Sequence, residues 1–493
     1  MNAVIRMHFV AVLCVSAGIL SADAQSRDSF DEFRKNINSD FQDFRKKVLD
    51  DYDKYLEGVW TEYQAFRGIE RKPLPKPKRP PVVDPANRPP VVGLPEPAEP
   101  QLQSEPQDSP KRPDLEPRPA KPARPQVSFD FYGIPVNVPE TGLERDAERL
   151  RNMDYAGLWR LYSKRNIAAA IVPAMRRAAE AYTLNDWFLF ELARSYAAGI
   201  FPTADARMRT SMVHYLLCHL GYDVRVGEEV SGHPILLVAF EQFVYSRPFA
   251  EIDGRRYYLF YDNLYQGATG MEGAFKTCDL PRDADKGRML DLMIHEALTI
   301  PYMPHAYTFR YGNLEISGEM NAALIPMLYR YPQMPIECYA LSEIDDCLRE
   351  SVVAQIRRQL ENLSQHQAVD RLLQFVQSAF EYATDDEQHG FEKPYFFEEM
   401  LFYTKCDCED RSIFYSYLLW TALDVENQVI GYPGHEAVAV HFDIPISGDG
   451  YMYEGKKFYI SDPTYIGAVT GMCMPDFRSV RPEIDYYRYR DDE

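Results

Sequence analysis

The sequence predicts an α+β fold, and two observations lead there. The apolar residues Ile413, Phe414, Tyr417, Leu418 and Ala422 recur at helical spacing and are followed by short apolar runs, which is a helix leading into hairpin-linked strands. The same pattern also occurs earlier in the chain. The stretch Ala206 to Val226 lies over Cys408 to Gln428 at a constant offset of 202, the signature of an internal duplication.

Within that offset, Arg209-Thr210-Ser211 falls on Arg411-Ser412-Ile413, and Tyr215-Leu216-Leu217 on Tyr417-Leu418-Leu419. Ser231-Gly232-His233-Pro234 falls on Pro433-Gly434-His435-Glu436 without a gap. Asp253 to Asp262 then matches Glu454 to Asp462 with a slip of one or two residues. The position matching Cys408 is Ala206, so the first copy retains a histidine and an aspartate but has no nucleophile. Coincidence between two stretches of similar composition is the competing explanation.

The remaining segments follow in order. Residues 1–24 read as a secretory signal, with Arg6, an apolar run from Phe9 to Leu20 and Ala22-Asp23-Ala24 before Gln25, so an exported, periplasmic or secreted protein is expected. Residues 26–67 carry apolar side chains in a 3-4-4 spacing from Phe30 to Phe66, which predicts one long helix with an 11-residue repeat. Its stripe needs a partner surface: self-association, docking on the globular body or an envelope partner. Residues 68–126 are dominated by proline among charged residues, a semi-rigid spacer unable to form a core. The first copy is expected over 127–265, a mostly helical region over 266–360 with a helix from Glu343 to Leu360, the second copy over 361–476, and a polar tail over 477–493.

A net charge of -20 repels phosphates, which argues against nucleic acid or anionic lipid as a partner. Beyond Cys14 in the signal, seven cysteines stand at 218, 278, 338, 347, 406, 408 and 473. An odd number leaves at least one unpaired in a disulfide-permitting compartment, and several buried free thiols would serve as well. No CxxC spacing suggests zinc, and His295-Glu296 lacks a second histidine four residues on. No metal and no cofactor are expected.

Cys408 precedes His435 by 27 residues, and His435 precedes Asp462 by 27. A thiol in the first turn of a helix is favoured as thiolate, a histidine on the adjoining sheet takes its proton, and an aspartate fixes the imidazole. The run Lys405 to Arg411, with Tyr432-Pro433-Gly434-His435-Glu436-Ala437 and Ser461-Asp462-Pro463-Thr464-Tyr465, resembles the transglutaminase-like superfamily of papain-like cysteine enzymes, over roughly residues 365–475.

That resemblance implies two transglutaminase-like modules, the first degenerate. It places a nucleophile at Cys408, a base at His435 and an orienting acid at Asp462. It also implies an exported enzyme that hydrolyses peptide or amide bonds through a thioester, with polypeptide as substrate. Acyl transfer to amines is the variant, and a non-catalytic envelope scaffold is the alternative. Each residue also has a structural reading: Cys408 in a disulfide with Cys406 or Cys473, His435 as a core histidine, Asp462 opening a turn. Glu409, Asp410 and Arg411 read as a capping and salt-bridge cluster. The Cys408 N–H is the expected oxyanion donor, with Tyr403 as a weak second candidate beside its aromatic packing role.

Overall fold

The computed structural model describes residues 59–71, 76–87, 125–202, 206–262, 273–280 and 287–489. The signal at 1–24, the 26–67 helix up to residue 58 and most of the 68–126 spacer lie outside the described residues. The chain is α+β, as its periodicities predict.

The first described strand, β1 (Val59–Ala65), corrects the sequence reading. These residues were expected to end the long helix; instead they pair antiparallel with Gly273–Asp279. Val59, Trp60, Thr61 and Tyr63 are β-branched or aromatic and fit a pleated edge. Ala65 lies buried beneath the sheet. The 3-4-4 spacing continued across a segment whose tertiary partner decides its conformation.

A hairpin follows, β2 (Gln126–Phe131) with β3 (Ile134–Pro139). Four helices come next: α1 (Tyr155–Lys164), α2 (Ile167–Tyr182), α3 (Asp186–Ile200) and α4 (Ala206–Leu220). The strands β4 (Val224–Glu229), β5 (Pro234–Val238), β6 (Phe249–Ile252), β7 (Arg255–Phe260) and β8 (Gly273–Asp279) complete a sheet of order β1-β8-β4-β5-β7-β6. The first unit therefore runs past the expected boundary at 265. The region 266–360 is not mostly helical either: it holds β8 and the hairpin β9 (Pro304–Tyr311) with β10 (Leu314–Asn321) before helix α5 (Asp346–Leu360).

The last part contains α6 (Gln365–Ala379), β11 (Glu381–Tyr382), α7 (Phe397–Phe402), β12 (Lys405–Cys406) and α8 (Cys408–Leu423). Then come β13 (Asn427–Tyr432), β14 (His435–His441), β15 (Gly450–Tyr453), β16 (Lys456–Ser461) and β17 (Glu483–Arg488), in the order β15-β16-β14-β13-β17. The expected polar tail thus supplies an edge strand, β17, bonded to β13.

The two sheets share one topology. Each follows a helix, and β8, β4, β5, β7 and β6 stand in the same order as β17, β13, β14, β16 and β15. The turns agree as well: Asp253-Gly254 and Glu454-Gly455 both take positive φ at the two central positions, the hairpin turn whose twist matches paired strands. Ala206 opens α4 as Cys408 opens α8.

Helix α8 is buried on nearly every side, from Cys408 through Phe414 and Tyr415 to Leu419. It packs against β13, β14, α5 and α6. An all-round buried helix forms a core element rather than a surface one, and each fully buried Leu, Ile or Phe there contributes about 1.5–3 kcal/mol. The position of its first turn is therefore set by the core.

If β1 is a strand, amide exchange across Trp60 to Ala65 will be as slow as across β8; exchange at free-peptide rates would return this segment to the helix. A second expectation concerns Glu398, buried in the first turn of α7. Burial, then Glu399 and Asp345, push its carboxyl up to about 7. A raised carboxyl contributes stability that is complete below the unfolded value near 4.3 and lost as pH rises through 7. The thermal midpoint should fall between pH 5 and pH 8, and Glu398→Gln should lessen that fall and raise the midpoint at pH 8. Equal falls in both proteins by calorimetry would show that Glu398 is not the group responsible.

Candidate functional site

Cys408 is the first residue of α8, and helix α8 lies against β14, which begins with His435. His435 thus opens the second strand after the helix, with β13 between them in the chain. Asp462 follows β16 directly, and β16 pairs with β14. That pairing brings His435 Nε2 to 2.9 Å from Asp462 Oδ2, with both side chains buried. With Nε2 held by the aspartate, Nδ1 is the ring nitrogen that would exchange a proton with a reacting group. Phe477 lies face to face with the His435 ring, centroids 5.5 Å apart, and stacks in turn on Tyr432 at 4.6 Å.

Asp462 is held from below. Its Oδ1 accepts from the backbone N–H groups of Thr464 (2.8 Å) and Tyr465 (3.1 Å). Gln377 in α6 donates from Nε2 to the carbonyls of Asp462 (3.0 Å), Tyr465 (2.9 Å) and Ala468 (3.2 Å), and accepts from Gly467 N–H at 3.1 Å. One buried amide thus ties the whole 462–468 turn to the helical layer.

Arg411, one turn after Cys408, joins the two halves of the site. It is buried and donates to the carbonyls of Phe380 (2.8 Å), Gln377 (3.2 Å) and Pro463 (3.5 Å), and to Cys406 Sγ at 3.3 Å. The expected salt-bridge role gives way to a cage of carbonyl dipoles. Asp410 does act in capping: it accepts from Asp407 N–H (3.0 Å) and Tyr395 N–H (2.8 Å), and burial pushes its carboxyl up to about 7.

No disulfide joins any two of the seven described cysteines, so the disulfide reading of Cys408 does not hold. Cys406 and Cys408 differ in surroundings. Burial pushes the Cys406 thiol up to about 12, which makes it a packing residue. The Cys408 thiol donates to Glu409 Oε2 at 3.1 Å. Tyr403 packs on Tyr395 and His389, the aromatic role rather than an oxyanion one.

The largest correction concerns the proline-rich spacer, part of which packs on this site. Phe66 exchanges two backbone hydrogen bonds with Phe249, and Ile69 O accepts from Ser246 N–H at 2.8 Å. Arg71 then reaches Glu436, the neighbour of His435, at 2.9 Å. Lys76 Nζ lies 2.6 Å from Asp407 and from Glu409, 2.5 Å from Glu392 and 3.7 Å from Asp385. Tyr382 donates to Pro77 O at 2.8 Å, and Val83 N–H and Pro81 O bond the backbone of Ile466 at 3.0 and 2.8 Å. Val83 is buried against Tyr465, Ala468 and Met474.

Two cations on this strap flank the neighbours of Cys408 and His435. Burial lowers the Lys76 ammonium, but Asp407, Glu409, Glu392 and Asp385 outweigh it and hold it well above its ordinary range. Burial, then Asp385, pushes Asp407 upward. Oxygens of Asp385, Asp407 and Asp410 lie within 4.8 Å of one another, a spacing that suits a cation. The charge pattern of 71–83 was the available signal, and a composition reading that looks for apolar clusters passes over it.

The first half lacks the arrangement. Asp262 pairs with Arg209, the counterpart of Arg411, with Nη2 to Oδ2 at 2.5 Å. His233 is exposed in a turn and bonds Ser231 Oγ at 2.8 Å. The retained histidine and aspartate are therefore engaged separately. A cavity of about 460 Å³ opens there, lined by Arg194, Arg209, Phe260 and Asp262 among others.

Gln377→Ala would leave three buried carbonyls and one N–H without this partner, and an unmet buried group costs about 1–3 kcal/mol. Urea unfolding should show a loss of that size or more. A loss below about 0.5 kcal/mol, the range of neutral surface changes, would show that the 462–468 turn does not rely on Gln377.

No helix among the described residues is long and apolar enough to cross a membrane. Compared with family models, with curated proteins and with solved structures, the chain matches none.

Proposed function

We propose that the chain is an exported cysteine enzyme of the transglutaminase-like kind, hydrolysing peptide or amide bonds through Cys408, His435 and Asp462. The observation that carries this reading is the buried 2.9 Å hydrogen bond from His435 Nε2 to Asp462, on the strand against which the Cys408 helix packs. A histidine and a carboxylate 27 residues apart in sequence have no packing reason to meet in a core, where burying an ionisable pair gains little.

In this reading His435 Nδ1 takes the thiol proton and the Cys408 sulfur attacks the substrate carbonyl carbon. The Cys408 N–H, at the start of α8, faces the oxyanion, where the helix dipole favours negative charge. Tyr382 is the second donor once the strap leaves: its one O–H, now donated to the Pro77 carbonyl, is then released, and burial together with the charges of Cys408 and Asp407 pushes its ionisation upward, so it stays a donor. The C–N bond breaks as His435 returns the proton to the amine, leaving a thioester. Water, deprotonated by His435, then attacks, releases the acid and restores the thiol. Acyl transfer to an amine is the same sequence with the amine in place of water. A non-catalytic binding module is the second reading, favoured by the burial of Cys408 beside Glu409.

Iodoacetamide labelling of Cys408 decides between them. It is measured against pH in the Val83→Asp chain, where the buried anchor of the strap is disrupted. A midpoint below the ordinary thiol value of about 8.5 is expected, with labelling at pH 7 dropping about 10-fold when His435→Ala is added. Labelling at the rate of an ordinary thiol in both chains would end the enzyme reading.

A further inference from the structure

The carboxylate pocket next to Cys408 holds a cation supplied by the chain itself. Three carboxylates, Glu392, Asp407 and Glu409, approach Lys76 Nζ at 2.5–2.6 Å, one for each of its three N–H donors. This is the coordination of a primary ammonium, a compact cation with three donors; a planar guanidinium fork could not meet three converging acceptors in this way. The pocket also has acceptor capacity to spare. Asp385 is buried, and its Oδ1 has no hydrogen-bond partner among the described residues.

The segment that delivers Lys76 is held as a bound peptide is held. It is extended and proline-rich, its backbone bonds Ile466 and Tyr382, and among its described residues the deeply buried apolar side chain is Val83. Recognition by main-chain bonds with separate pockets for individual side chains is how extended peptides are bound.

We propose that this pocket is the subsite for a lysine side chain of an extended polypeptide substrate, and that Lys76 occupies it in the resting chain as a tethered stand-in. The proposal rests on the enzyme reading above and supplies its substrate class. A tethered group acts at an effective concentration in the millimolar range, so lysine peptides in solution bind only as the strap leaves. Their apparent affinity falls by the fraction of chains that are open.

The test uses full-length protein carrying Cys408→Ala, so that binding is read without chemistry. The probe is a synthetic peptide of residues 73–83 of this chain, titrated calorimetrically. Binding should be at least about 10-fold tighter, a difference of 1.4 kcal/mol, when Lys76→Ala or Val83→Asp is added. The Lys76→Arg and Lys76→Met versions of the peptide should bind at least about 10-fold more weakly than the parent. Val83→Asp releases the strap while keeping Lys76 in the chain, so it carries the test if Lys76→Ala fails to fold.

No binding to the opened chains, or equal binding of the Lys76→Met peptide, would overturn the proposal. So would micromolar calcium binding that the peptide does not displace, which would make the pocket a metal site. Peptide binding together with an inert Cys408 in the labelling experiment would leave the lysine subsite standing and remove the enzyme reading alone.

Discussion

The placement of four charged side chains, Asp407, Glu409, Asp410 and Arg411, in a first helical turn out of contact with water is the constraint on which the rest depends. Burying a charge without partners costs several kcal/mol, so each must be met. Arg411 is met by three backbone carbonyls from two separate segments, the end of α6 and the turn after β16, which fixes α8 relative to both. Asp410 is met by two backbone N–H groups. Asp407 and Glu409 are met by Lys76, and this draws in a strap that composition alone would leave in solvent. Since Cys408 lies among these residues, its setting is fixed by the same bonds.

The site therefore has two separable layers. His435 and Asp462 are set by strand pairing and by Gln377, which acts on the turn through its carbonyls. The surroundings of Cys408 are set by charge: its thiol donates a hydrogen bond to Glu409, and Asp407 and Glu409 in turn hold Lys76. In the proposed chemistry a cation beside the sulfur belongs to the working site, and Lys76 or a substrate lysine fills the same place. The first half shows the contrast. There the counterpart of Arg411 takes the counterpart of Asp462 as its ion-pair partner, the histidine turns to solvent, and the space stays open as a cavity.

Much of this was legible in the residue pattern. The 202-residue offset anticipates two sheets that share a five-strand order, since helix phase, hairpin turn residues and strand alternation are local properties that recur when the sequence recurs. The spacing of Cys408, His435 and Asp462 singles them out, and the helical period after Cys408 places it in a first turn; that His435 opens β14 and Asp462 follows β16 does not follow from the spacing. The residues missed were those whose role depends on a distant partner. Gln377 has no local signature, Phe477 reads as a loop aromatic, and Lys76 reads as one more charge in a proline-rich linker. The error at Val59–Ala65 has the same origin. A helical spacing of apolar residues continued through a stretch rich in β-branched and aromatic side chains, and pairing with β8 outweighed it.

By itself the sequence determined the α+β class, the recurrence of its pattern at an offset of 202 and the local form of most elements, because backbone propensity, apolar period and turn chemistry act over a few residues. It also determined that Ala206 leaves the first half without a counterpart of the Cys408 thiol. Only the tertiary structure decided that His435 meets Asp462 while His233 does not meet Asp262, that β17 closes the second sheet, and that Arg71 and Lys76 lie over the site. Those outcomes rest on contacts between segments up to several hundred residues apart, where burial raises the strength of a charge pair and the cost of leaving one unpaired. No period or motif along the chain records which distant charge will answer it.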